Sequence, residues 1–365
     1  MRLKPLNEQV VVVIGASSGI GRATALGFAA RGAMVVCAAR DERGLATLVE
    51  EIRAKGGRAL ALTAEVADPE QMKNVADYAA RTLGRIDTWV HVAAVTVYAR
   101  FEDTRPAEFA RVIEVNLLGQ IHGALAAIPH LRQAGRGALI CVSSVEGIIS
   151  MPFQSAYAAS KHGVVGFLDS LRLELQREGV PISVTNILPS GINTPLFQKA
   201  LTRLGVEPRP TSPVYAPELV SRAILHAACH EVRDLVVGGA GMGILLAHKL
   251  SPALADAILR SRVGAESQLT DRRKSPDAPN NLFKPSLARY AHIEGDFGAE
   301  ARRRSLPTQI LLSRGADGAR WIERRVAAIT ARVFEAVWIL SLPKAARKRL
   351  SRRVVAKRQR RASSG

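Results

Sequence analysis

The chain opens on an unbroken apolar run, Val10 to Ile14, of the kind that a strand buried on both faces requires. Gly15-Ala16-Ser17-Ser18-Gly19-Ile20-Gly21 follows, and a helical pattern continues from it to about Arg31. After Gly32 the apolar run Met34 to Ala38 predicts a second strand. Further strands are expected at Ala59 to Thr63, Thr88 to Val92, Ala138 to Val142 and Ile182 to Ile187, with helical stretches between them. Asp234 to Gly238 can supply the last one. Strand and helix alternating at this interval predict a three-layer α/β/α fold with a parallel sheet covered on both faces.

The pattern changes after Ser251, where no further complete βαβ signal occurs. Residues 270–318 are rich in Pro, Gly, Asp and Arg and read as a long wrapping or mobile segment. Trp321, Val326, Ile329, Val333, Val337 and Leu340 then recur at helical spacing, and Pro343 stops or bends that element. From Lys344 onward there are 10 basic residues and no acidic one.

Charge sharpens this division. The net formal charge is +19, with 26 basic against 22 acidic residues up to position 250 and 25 against 10 beyond it. The basicity therefore belongs to the extension. An amphipathic helix followed by a basic tail fits peripheral attachment to an anionic membrane, with nucleic acid as a competitor for which no reading motif is present. Packing of the stripe against the rest of the chain, with a solvated tail, is the other reading. Cys37, Cys141 and Cys229 lie in or beside apolar runs and predict buried thiols, with neither a disulfide framework nor metal-ligand spacing. Met1 to Pro5 lead almost directly into a strand, so a cytoplasmic location is expected, with the inner face of a membrane as a point of attachment. The longest apolar stretches read as too short or too interrupted to span a bilayer.

Candidate chemistry centres on Tyr157-Ala158-Ala159-Ser160-Lys161. Tyr157 and Lys161 are four apart, so on a helix they share a face, where an ammonium can favour a phenolate. Ser144 stands 13 residues before Tyr157, and its neighbour Ser143 leaves the registration open by one. With the glycine-rich run after the first strand, this set resembles the short-chain dehydrogenase/reductase family over about residues 7–240. The resemblance implies a Rossmann-like fold, a nicotinamide cofactor and a catalytic set of Asn116, Ser144, Tyr157 and Lys161. It makes Gly15, Gly19 and Gly21 the cofactor glycines, with Ser17, Ser18 and Ile20 in the same loop. Ile14 stands where a threonine is usual.

Further cofactor positions follow from the same resemblance. Glu65-Val66 stands where Asp-Val commonly positions adenine, Ala93 lies in the stretch His91-Val92-Ala93-Ala94 that replaces the usual Asn-Asn-Ala-Gly, and His91 is either part of that network or a satisfied core histidine. Asn116, in Val115-Asn116-Leu117-Leu118-Gly119, is implied to make a backbone contact and to continue the proton route from Lys161. Pro189, Gly191, Ile192 and Thr194 occupy the turn that receives the nicotinamide carboxamide. Arg40 ends the second strand where a carboxylate would select NAD, and its guanidinium suits a 2′-phosphate, with Ser17 or Arg22 as helpers. NADP(H) is thus favoured over NAD(H). Leu196 to Tyr215 reads as a substrate lid, and Glu146, Met151, Phe153 and Phe197 are candidates for the substrate wall. Gly238 to Gly243 reads as a tight crossing or a hydrophobic groove, in preference to a second nucleotide site.

The resulting expectation has three parts: a dinucleotide-binding catalytic domain over 1–250, a wrapping or mobile linker over 251–320, and an amphipathic helix with basic tail over 321–365. The activity implied is NADP(H)-dependent hydride transfer to or from a moderately bulky apolar ketone, aldehyde or secondary alcohol, with no metal. The alternative is a cofactor-binding regulatory or membrane-associated scaffold in which the altered His91-Val92 segment weakens turnover. Family members commonly associate through core helices, so a homo-oligomer is expected.

Overall fold

The computed structural model describes residues 3–285 and 288–313. The helix expected at Trp321 to Leu342 and the basic tail lie outside the described residues.

Seven parallel strands form the central sheet: β1 (Val10–Ile14), β2 (Met34–Ala39), β3 (Arg58–Thr63), β4 (Thr88–His91), β5 (Gly137–Val142), β6 (Ile182–Pro189) and β7 (Asp234–Val237), in spatial order β7-β6-β5-β4-β1-β2-β3. Each apolar run named from sequence is one of these strands. β1, β4, β5 and β6 are buried along their whole length, as strands inside a doubly covered sheet must be, whereas the edge strands β3 and β7 alternate between buried and more open positions. The chain runs outward from β1 in both directions, so the strand order reverses between β1 and β4. In open α/β sheets, ligands bind at such a switch point, beyond the carboxyl ends of the strands.

Helices α1 (Gly19–Ala29), α2 (Glu42–Ala54), α3 (Pro69–Leu83), α4 (Pro106–Ile113), α5 (Gly119–Gln133) and α6 (Ser155–Arg177) follow in order. Val12, Ile14, Trp89 and Leu139 of the sheet form one core with Met72 and Val75 of α3, Leu131 of α5, and Val164 and Leu168 of α6. A single wide π turn, Glu114–Leu118, joins α4 to α5. The combined run Pro106–Gln133 has the length and hydropathy of a membrane span, contrary to the sequence reading, yet it packs against α3 and α6 within this core. After β6 come α7 (Leu196–Lys199) and α8 (Pro217–Ala227), the latter packed against α1.

Beyond β7, α9 (Gly239–Leu250), α10 (Pro252–Arg260) and α11 (Arg262–Glu266) lead into a strand, Leu269–Arg273, that pairs antiparallel with Val206–Pro208. The following residues cross the switch-point end of the sheet. Asn281 donates to the Lys199 carbonyl at 3.0 Å, the Gly19 amide donates to the His292 carbonyl at 2.9 Å, and the Phe297 amide donates to Asn193 Oδ1 at 3.0 Å. Gly238 marks the tight crossing foreseen at the start of α9: its φ is +103°, and a Cβ there would lie 2.1 Å from Ser190 Oγ.

Candidate active site

A cavity of about 480 Å³ opens at the switch point. One end is built by the loop between β1 and α1. Gly15 has φ +85°, and a Cβ on it would lie 2.6 Å from the Ala93 amide nitrogen, so the β1 turn and the β4 end meet backbone to backbone. Gly21 serves the loop from behind: its Cβ would stand 2.1 Å from the Gly15 carbonyl oxygen, and it does not line the cavity. Ser17, Ser18, Gly19 and Ile20 do line it, and a Cβ on Gly19 would approach Thr194 at 3.3 Å. The turn from Pro189 through Gly191 and Ile192 to Thr194 thus faces the glycine loop across the opening. This backbone-lined trough at a helix N-terminus fits a dinucleotide phosphate.

At the far end of β2, Arg40 is half-buried and donates to the Asn281 carbonyl at 2.7 Å and to Glu65 at 3.4 Å. Glu65 is also paired with Arg111, and these two guanidiniums hold its carboxyl below the ordinary range against the opposing cost of burial. Arg22, offered from sequence as a helper to Arg40, is turned away. It donates to the Gly44 carbonyl and to Thr47 at 3.2 Å each and to Glu51 at 2.8 Å, so its place in the first turn of α1 spends it on packing against α2. Val66 and Ala93 line the cavity as expected.

Ser144, Tyr157 and Lys161 meet on the opposite wall. Tyr157 and Lys161 project from one face of α6, with the ammonium 5.5 Å from the ring centroid, and Lys161 donates to the Val142 carbonyl at 2.9 Å. Ser144 follows β5 and hydrogen-bonds the Tyr157 hydroxyl. Both serines line the cavity, but the Ser143 hydroxyl is committed to Asn186 Oδ1 at 2.6 Å inside the sheet. Burial raises the Tyr157 phenol above its ordinary value, the nearby Glu146 adds to the rise, and the Ser144 hydrogen bond opposes it. Burial also pulls the Lys161 ammonium down to about 8.

Asn116 stands behind this wall, wholly buried in the wide turn. Its Oδ1 accepts from the Val95 amide at 2.8 Å, and its Nδ2 donates to the Val95 carbonyl at 2.9 Å and to Ser160 at 3.1 Å. It therefore pins the loop after β4 to α6. His91 departs from the expected satisfied histidine. It is fully buried with neither ring nitrogen partnered among the described residues, and burial, reinforced by Lys161 and His122, depresses it to about 3, so it is a neutral ring.

The remaining wall is apolar where Val145, Ile149, Met151 and Phe197 face it. Phe153 does not line it; its φ of +70° turns the chain so that its carbonyl accepts from Ala99 at 3.0 Å. A polar corner interrupts the apolar wall. Gln154 donates to Glu146 at 3.2 Å and to Gln268 at 2.7 Å, and Glu146 Oε2 is buried without a hydrogen-bond partner among the described residues. Burial raises Glu146 to about 8 while Gln154 opposes the rise, so the acid is neutral at pH 7. Gln268, Asn281 and Pro285 come from the extension, and sequence reasoning found none of them. Among the described residues no group of three or more His, Cys, Asp or Glu side chains is arranged to hold a metal.

The family model described as short chain dehydrogenase matches residues 9–204, more than half of the chain, and takes in the glycine loop, Ser144, Tyr157 and Lys161. The chain belongs to the short-chain dehydrogenase family. It is an NAD(P)-dependent oxidoreductase of the hydride-transferring kind. An uncharacterized oxidoreductase of Bacillus subtilis, YxnA, is 38% identical over 285 residues, covering 78% of this chain and 80% of that protein. That match is longer than the family segment and so runs beyond it. The 3-oxoacyl-[acyl-carrier-protein] reductase of Thermotoga maritima is 34% identical over 62% of this chain and 92% of its own. Among solved structures, a 3-ketoacyl-ACP reductase from Sinorhizobium meliloti is similar with a TM-score of 0.55 at 28% identity, covering 64% of this chain and 98% of that one.

Proposed function

We propose that this short-chain dehydrogenase is an NADP(H)-dependent carbonyl reductase, reversible as an alcohol dehydrogenase, for a moderately bulky apolar ketone, aldehyde or secondary alcohol. The observation that supports this most is the meeting of Ser144, Tyr157 and Lys161 on one wall of a cavity whose other end holds the glycine loop and Arg40. The nicotinamide, when bound, supplies or accepts the hydride. Ser144 and Tyr157 donate hydrogen bonds to the substrate carbonyl, and Tyr157 gives up its proton as the oxyanion forms. A phenol raised by burial keeps its proton until that moment, which suits reduction. In oxidation the same group must first lose the proton, and the Lys161 charge together with a cationic nicotinamide ring offsets that cost. Asn116 positions the loop after β4 against α6, and Pro189, Gly191, Ile192 and Thr194 shape the nicotinamide end. The apolar lining from Val145, Ile149, Met151 and Phe197 favours a hydrocarbon-rich substrate.

The reductase names borne by the Thermotoga and Sinorhizobium relatives agree with the carbonyl-reducing direction. A second reading, a cofactor-binding scaffold with weak catalysis, draws on the unpartnered His91 ring and on Val92, which offers no side-chain amide to the site. Purified full chain incubated with NADPH or NADH and a panel of bulky ketones separates the two. Oxidation of NADPH that falls by about two to four orders of magnitude in Tyr157→Phe, with cofactor affinity little changed, supports the reductase. Tight cofactor binding without turnover across the panel moves the weight to the scaffold.

A further inference from the structure

Lys199 is the last residue of α7, in the segment that sequence reading treats as an apolar substrate lid. Its side chain does not join that lid. It is buried, it lines the dinucleotide end of the cavity, and its ammonium donates to Ser18 Oγ at 2.7 Å in the glycine loop. Among the described residues this is its single side-chain hydrogen bond, and it forms no ion pair. An ammonium has three donors, so two remain for another acceptor. An unpaired cation inside a protein is costly unless an anion shares the space.

The charges around it say which anion. Asp41 follows Arg40 directly, caps α2 by accepting from the Gly44 amide at 3.0 Å, and keeps Oδ2 buried without a hydrogen-bond partner among the described residues. Asp41 is the leading attraction felt by Lys199, and Arg40 is the cation that repels it, so all three lie around the end of β2. Arg40 and Asp41, the two charges felt by Lys199, sum to zero. Such a balance does not attract the dianionic 2′-phosphate that distinguishes NADPH from NADH, and the free carboxylate of Asp41 alone suits a ribose 2′-hydroxyl. Lys199 tips the sum to positive. Its placement is fixed by the extension: the Asn281 amide donates to the Lys199 carbonyl at 3.0 Å while the Asn281 carbonyl accepts from Arg40 at 2.7 Å. One residue thus holds both cations.

We propose that Lys199, paired with Arg40 through Asn281, is a cofactor-specificity residue that binds the 2′-phosphate of NADP(H) and offsets Asp41. The proposal rests on the NADP(H) reading above. The two fail differently when the dissociation constants of NADPH and NADH are measured by nicotinamide fluorescence for the full chain and for Lys199→Met and Lys199→Arg. If wild type binds NADH as tightly as NADPH, the NADP(H) reading itself falls. If wild type prefers NADPH, the expected result is that Lys199→Met weakens NADPH about 10- to 100-fold and NADH by less than about twofold, with Lys199→Arg restoring most of the preference. An equal loss for both cofactors, or none, overturns the role given to Lys199 while leaving NADP(H) selection to Arg40. NADH binding in the same samples reports on folding. Should Lys199→Met not fold, the neutral but polar Lys199→Gln carries the same test, with a retained NADPH preference overturning the proposal.

Discussion

Gly21→Ala tests the glycine loop most directly, because the structure sets the size of the effect. The added Cβ would lie 2.1 Å from the Gly15 carbonyl oxygen and 2.7 Å from its carbon, and both neighbours are backbone that no rotamer change can move aside. Bringing that approach to an ordinary contact needs a shift of about 1 Å, carried by the turn whose amides line the cavity. Gly15 cannot yield toward β4, since its own Cα already faces the Ala93 backbone. Overpacking of this kind costs about 1–3 kcal/mol, which, if expressed in the cofactor-bound state, corresponds to about a 5- to 150-fold weaker complex. Fluorescence titration with NADPH and with NADH should show the loss for both, since the loop serves the part of the cofactor they share. Turnover at saturating cofactor should fall less. Binding of either cofactor within about twofold of wild type would refute the reasoning, because it would mean that the loop accommodates a methyl group where no space exists.

Arg40→Ala should weaken NADPH by about tenfold more than NADH, read in the same titrations; equal losses would show that the bond to Asn281, and not a phosphate contact, is what the guanidinium provides. Glu146→Gln should leave ketone reduction at pH 7 within about twofold, because burial holds the acid to about 8 and it is already neutral there. As pH rises through that value, wild type gains an anion beside Tyr157 that raises the phenol further, so at about pH 9 alcohol oxidation should be faster in the variant; coincident pH profiles would count against it. Gly166→Ala, on the exposed face of α6 with nothing within 4 Å of the new Cβ, should stabilise by about 0.5–1 kcal/mol, seen as a rise of a few degrees in thermal unfolding.

The sheet was legible because each of its strands is an apolar run bounded by a glycine or a polar turn, and burial on both faces leaves no other use for five consecutive branched residues such as Val10 to Ile14. Tyr157 and Lys161 were legible because helical spacing puts them on one face. The 13-residue spacing favoured Ser144 over Ser143 and left the registration open by one; the alternation of the backbone aims Ser143 at Asn186 in the neighbouring strand. Arg22 misled because a basic residue in the first turn of a helix reads as an anion ligand, whereas the side chain reaches Glu51 on the neighbouring helix. Lys199 and Gln268 were missed for another reason. Each lies in a stretch without hydrophobic period, and each owes its position to contacts more than 60 residues away, at Ser18, Asn281 and Gln154, which no local pattern encodes.

The family segment ends at Leu204, while Gln268, Asn281 and Pro285 stand in the cavity wall. A chain cut there would lose α8 and the edge strand β7 together with that part of the wall. Substitutions at Gln268, Asn281 or Pro285 can therefore change the lining of the cavity while Ser144, Tyr157 and Lys161 stay as they are.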